Sequence, residues 1–184
     1  EKNIDSLPLT LEVLQNSQVI RTYTNEKVAN FKSWPGGPSK PQILPSKKGY
    51  NRFTWDFRRE PLPSIHKVFI FGGLSGSSVA PGDYTLRMTL GDVVSETEAI
   101  ILSNPKVISS PEDFIEQQKM LVSIENTVKE MHESVNQMRS AKTQLTNYAK
   151  LLKDTKSADS LIEKGEALTK RINSWEENLI QAKQ

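Results

Sequence analysis

The spacing of apolar residues changes near Pro105, and this constrains the fold more than any other feature. Upstream, apolar side chains alternate every two residues. Downstream, they recur in sevens. A strand places successive side chains on opposite faces, whereas a helix brings residues three and four apart onto one face. The chain is therefore expected to have two parts, β first and α second.

In the β part, "LTLEVLQ" (9–15) and "QVIRTYT" (18–24) flank the turn-like pair Asn16-Ser17 and read as a hairpin. "YNRFTWDF" (50–57), "KVFIF" (67–71), "DYTLRMTL" (83–90) and "VVSETEAIIL" (93–102) read as further strands, with Gly91-Asp92 as a tight turn between the last two. Phe53, Trp55 and Phe57 share one face of their run and are expected in a core. Six or seven short strands predict a β-sandwich, Ig-like or fibronectin III-like, over residues 1–105. Pro35, Pro38, Pro41 and Pro45 make 34–49 a long loop. "REPLPSIH" (59–66) and "GGLSGSSVAPG" (72–82) are expected to be loops too, the latter flexible.

Residues 106–184 predict a long antiparallel α-helical hairpin. Ser110 suits an N-cap, Pro111 the first helical position, and Glu112 and Asp113 the electropositive first turn. Neither Pro nor Gly occurs from Glu112 to Leu152. The seam of this first helix, about 111–152, is Phe114, Leu121, Val128, Val135, Lys142 and Ala149 with Ile124, Met131, Met138, Leu145 and Leu152. "KDTKSADS" (153–160) is a break with Ser157 as a candidate cap. A second helix, about 158–183, carries the seam Leu161, Gly165, Leu168, Ile172, Trp175, Leu179 and Ala182. Ile115, Val122, Ile162 and Ile180 widen the apolar face, as packing against more than one neighbour would require. A homodimer or partner-docking coiled coil is one reading of that width, and an intrachain hairpin is the other.

Composition removes several functions. The first 110 residues carry 13 Lys and Arg against 10 Asp and Glu, and the remainder 11 against 12, so neither half has a field that would draw in nucleic acid. There is no Cys, which rules out disulfides, thiol nucleophiles and Cys-ligated metal. No apolar run approaches the roughly 20 residues of a membrane span. The chain opens at Glu1, as a mature or excised piece would.

Candidates for chemistry are few. Asp56 and Glu60 are near in sequence, but a glycosidase pair must face a cleft about 5–10 Å apart; Asp56 is expected in a salt bridge or turn contact, and Asp83 in a turn. His66 falls in a loop and His132 on a polar helical position, with no second His at metal spacing. Neither a catalytic residue nor a cofactor or metal site is expected. Lys47, Lys48, Arg52, Arg58 and Arg59 cluster around Tyr50 and Trp55, a mixture that can bind single strands, but the aromatics are expected in the core. Trp34 and Tyr50 are left as candidate carbohydrate-binding residues.

Four blocks, "VLQNSQVIRTYT", "GYNRFTWDFRRE", "APGDYTLRMTLGD" and "NPKVISSPEDFIEQQ", occur in an order that resembles a known tail. It is the C-terminal region of bacterial secreted proteins with a sortilin-like, BNR-repeat β-propeller body, often labelled glycosyl hydrolases. The middle two blocks are also similar to the Ig-like module of the flagellar hook-capping protein. The resemblance spans about residues 9–120 and departs at Asn104, where the family shows Asp. It implies a secreted, periplasmic or cell-surface location and an upstream propeller as partner. It also implies a non-catalytic accessory role, with carbohydrate binding as the alternative and any hydrolase activity belonging to the propeller.

Overall fold

The computed structural model describes residues 7–180. Its β part is one four-stranded antiparallel sheet in the order β2-β1-β3-β4, from β1 (Leu9–Gln15), β2 (Gln18–Thr24), β3 (Gly82–Leu90) and β4 (Val93–Ile101). Asn16 and Ser17 both take left-handed φ, 51° and 63°, as the tightest hairpin turns require. Gly91, at φ 58°, turns β3 into β4. β1 then pairs with β3, Leu9 opposite Leu90 and Leu14 opposite Thr85, which closes the chain over a long excursion.

One sheet face is apolar and the other is charged. Val13, Ile20 and Tyr84 are buried on the first, with Trp55, Val79, Leu86, Ala99 and Ile101 packed around them. Each large apolar side chain contributes roughly 1.5–3 kcal/mol when fully buried. On the other face Arg87 bridges Glu12 at 3.4 Å and Glu96 at 2.6 Å across three strands.

The expected second sheet is not formed among the described residues. Residues 50–57, read as a strand from their alternation, and 67–71, read as one from a short apolar run, belong to no ladder. Phe57 takes φ 56°, a left-handed conformation that breaks an extended run. The turn is tied on both sides: Trp55 Nε1 donates to the Arg58 carbonyl at 2.9 Å, and Asp56 Oδ1 accepts the Arg58 N–H at 3.2 Å. Pro61 and Pro63 then deny the next stretch its donors. What covers the sheet is irregular chain. Phe53 packs edge-on to Tyr23 and Trp55 edge-on to Tyr84, both partly buried at the edge of the core, while Phe57, expected in the core, is half exposed. Three hydrogen bonds, Val79 N–H to Phe57, Arg59 N–H to Ser77 and Leu62 N–H to Leu74, hold 57–62 beside 74–79. The Gly-Ser run is thus part of the cover layer, with Leu74 buried. Gly76 is needed there, because a Cβ would strike the carbonyls of Arg59 and Glu60. Asp83, expected in a turn, is the second residue of β3.

α1 (Pro111–Leu152) starts at Ser110, as its sequence requires. Ser110 Oγ accepts the Asp113 N–H at 3.1 Å and the Asp113 carboxylate accepts the Ser110 N–H at 2.8 Å, a reciprocal cap. At 1.5 Å per residue, α1 is about 63 Å long. A single 3-10 turn (Lys156–Ala158) leads into α2 (Asp159–Leu179). Ser157 lies inside that turn and Ala158 takes the N-cap position, without a side-chain bond. The helices run antiparallel: Arg139 meets Glu176, Val135 meets Ile180, and Gly165 faces Leu145.

α1 uses most of its expected seam, with Phe114, Leu121, Val128, Met131, Val135, Met138, Lys142, Leu145, Ala149 and Leu152 turned inward. Ile124 and Ile115, expected on the apolar face, are half exposed, because α2 ends at Leu179 and does not reach this part of α1. α2 is rotated from its expected one. Ile162, Gly165, Thr169, Ile172, Glu176 and Leu179 face inward, while Leu161, Leu168 and Trp175 are exposed. The Arg139–Glu176 ion pair and burial of Ile180 fix this rotation. Position Ala182 and the expected helix end at 183 lie outside the described residues. Among the described residues, no helix is long and apolar enough to cross a membrane.

Candidate functional site

The most organised polar constellation is a stripe on α1. Gln118, Glu125, His132 and Arg139 recur every seven residues beside the apolar seam, and all four bind backbone of the irregular cover layer. Gln118 Oε1 accepts the Ala80 N–H at 2.7 Å. Glu125 accepts the Ser77 N–H through Oε1 and pairs through Oε2 with Arg59 Nε at 3.2 Å. His132 Nδ1 lies 2.6 Å from the Pro63 carbonyl, so this nitrogen carries the proton and donates it. Arg139 donates from Nη1 to the His66 carbonyl at 2.6 Å and from Nε to Glu176 at 2.7 Å. Asn136, one turn from His132, adds a bond to the Ser64 carbonyl at 2.9 Å.

The physical cause is an unfilled ladder. Buried backbone N–H and C=O groups need partners, and prolines and turns keep 59–66 and 77–80 out of a sheet. A helix presents side chains at seven-residue spacing on one line, so it supplies acceptors and donors instead. Ile65, 1% exposed, fills the apolar gap beneath, against Val135 and Ile180. His132 was expected on a polar helical face; it is 2% exposed, because that face meets the loops instead of water. In the sequence the stripe is four polar residues in heptad register, a signal that the apolar seam beside it masks.

The other candidates are scattered. Asp56 accepts from Arg58 and from the Tyr23 hydroxyl at 3.5 Å, and Glu60 accepts the Thr22 N–H at 3.1 Å, so each carboxylate has its own structural partner. Burial raises the Tyr23 pKa above the ordinary phenol value, and does the same at Tyr84, whose hydroxyl donates to the Ala80 carbonyl at 2.6 Å. In the basic cluster, Arg58 donates to the Gly76 carbonyl and Arg59 pairs with Glu125, while Lys47, Lys48 and Arg52 are exposed. Trp34 is half buried, its Nε1 donating to the Val68 carbonyl at 3.0 Å and its ring edge-on to His66. Tyr50 is 93% exposed and stacks on no other described aromatic ring. The two candidate carbohydrate residues are not brought into one platform. No group of three or more His, Asp or Glu among the described residues is placed to hold a metal ion.

Beside the stripe lies an open cleft of about 1440 Å³ between α1, the end of α2 and the loop 65–71. Phe69 and Phe71 stand on its loop wall, and Lys142 and Lys150 on its helical wall. Comparison of the chain with family models, with characterised proteins and with solved structures finds no match.

Proposed function

We propose that this chain is a non-catalytic accessory region that gives structural support or binds another protein, as the tail of a secreted bacterial β-propeller protein would. In this reading the β part is an Ig-like unit whose second layer is irregular chain locked by α1. The observation that carries it is the heptad polar stripe. Gln118, Glu125, His132 and Arg139 are all spent on holding a helix against loops, which is the construction of a rigid arm. Asp56 and Glu60 are each engaged in contacts within the β part.

Deleting this region from the complete protein tests the reading. The expected result is a lower thermal midpoint of the remaining domains, or loss of a bound partner, with turnover per folded molecule unchanged. Loss of turnover with stability and partners intact would assign chemistry to this chain. The carbohydrate-binding alternative rests on the exposed Tyr50 ring, since Trp34 is already committed. It requires Tyr50→Ala to abolish retention on an immobilised glycan.

A further inference from the structure

We infer that the cleft between α1 and the loop 65–71 binds a peptide segment that carries acidic and apolar side chains. The inference rests on the interaction reading above and names the class of partner. Size comes first. Small-molecule pockets span about 300–1,000 Å³, and this cleft, at about 1440 Å³, exceeds them. Its helical wall runs from Met131 to Lys150, about 28 Å at the α-helical rise. That is room for a length of chain.

Charge selects the chemistry. Glu176 is the one carboxylate on the lining, and Arg139 already neutralises it at 2.7 Å. Lys67, Lys142 and Lys150 also line the cleft, and none of them is in an ion pair among the described residues. The cleft therefore presents net positive charge, although the chain as a whole is only +2. Phe71 is 97% exposed, and Phe69 is largely exposed beside it. Two solvent-facing aromatics lining the same cleft as three unpaired lysines complement a segment with both apolar and carboxylate groups. A glycan fits less well. The Thr143 and Thr146 hydroxyls, also on this wall, donate back to the Arg139 and Lys142 carbonyls, and no free carboxylate is left to grip sugar hydroxyls.

The experiment is selection of a randomised 16-residue peptide library on the intact chain, followed by affinity measurement of the selected peptides by fluorescence anisotropy. The expected pool is rich in Asp and Glu together with Leu or aromatic residues. Affinity should fall at least about tenfold in K142E/K150E and in Phe71→Ala, consistent with loss of complementary charge and a central aromatic. It should be unchanged in K119E/K170E, which alters net charge equally on other surfaces. All three variants change exposed or half-exposed residues, and circular dichroism checks that each is folded. No enrichment, a pool without acidic bias, or binding indifferent to K142E/K150E overturns the inference. So does preferential retention of neutral oligosaccharides at this cleft. Because these variants leave the Gln118–Arg139 stripe intact, such a failure would not touch the structural-support reading, which the deletion experiment tests separately.

Discussion

The sheet and the helical hairpin each begin with an uncovered apolar face, and they cover it by different means. The sheet satisfies its own backbone through the β2-β1-β3-β4 ladder and buries Val13, Ile20 and Tyr84 beneath chain that has no ladder of its own. The hairpin needs no help with its backbone, so α1 has side chains to spare, and it lends them to that cover layer. The layer between 57 and 80 is thus stabilised from both sides, by side-chain packing on the sheet and by hydrogen bonds from the helix. The difference teaches that regular structure was not required over the sheet once a helix supplied donors and acceptors at fixed intervals.

The strongest way to break this arrangement is at the point where both parts meet. Ile65→Ala removes a fully buried plug between loop and hairpin and is expected to cost about 3 kcal/mol in urea unfolding. A cost below about 1 kcal/mol would show the loop to be dispensable. Glu125→Ala comes next. It orphans the Ser77 N–H and leaves Arg59 without its partner in a partly buried place, which should cost about 2 kcal/mol. Hydrogen exchange should show protection lost first at residues 74–80.

Within α2, Ile172→Lys and Leu168→Lys separate the observed rotation from the one the heptads suggest. The first should destabilise by several kcal/mol, as a charge placed in a buried position does, and the second by no more than about 0.5 kcal/mol. If Leu161, Leu168 and Trp175 instead form a seam with a second copy, light scattering should give twice the monomer mass for the wild type and a monomer for Leu168→Lys.

The smallest effect is at the start of α1. The Ser110 N–H donated to Asp113, and secondarily the Ser110 hydroxyl, hold the Asp113 carboxyl below the usual range. A depressed carboxylate pKa stabilises the fold at pH values above the unfolded value of about 3.9, and this contribution disappears as pH falls through the lower folded value. The thermal midpoint of wild type minus that of Asp113→Asn should therefore be constant between about pH 6 and 8 and shrink below about pH 4. A difference that grows on acidification would contradict the cap.

Much of the skeleton was legible from sequence. Asn16-Ser17, Gly91, Ser110 and the Pro-free run after Glu112 are local signals whose cause lies within a few residues, and each did what its chemistry requires. The segment around Trp55 was legible only in part. Alternation placed Phe53 and Trp55 correctly over the core, but alternation cannot report that Phe57 turns left-handed, because that depends on Asp56 and Trp55 folding back on Arg58. The cleft was not legible at all, since Phe71, Lys142 and Lys150 come from elements brought together by the docking of Ile65 and by the bonds of His132, Asn136 and Arg139 to the loop backbone.

By itself, the sequence determined the two periods, the boundary near Pro105, the hairpin turns and the helix start, because these follow from backbone sterics and near-neighbour hydrogen bonds. Tertiary structure alone decided that one sheet would do, that α2 would turn Thr169 and Glu176 inward in place of Leu168 and Trp175, and that His132 would be buried. Those outcomes depend on which distant groups have unmet hydrogen bonds or charges, and a linear pattern of polarity carries no record of distance in space.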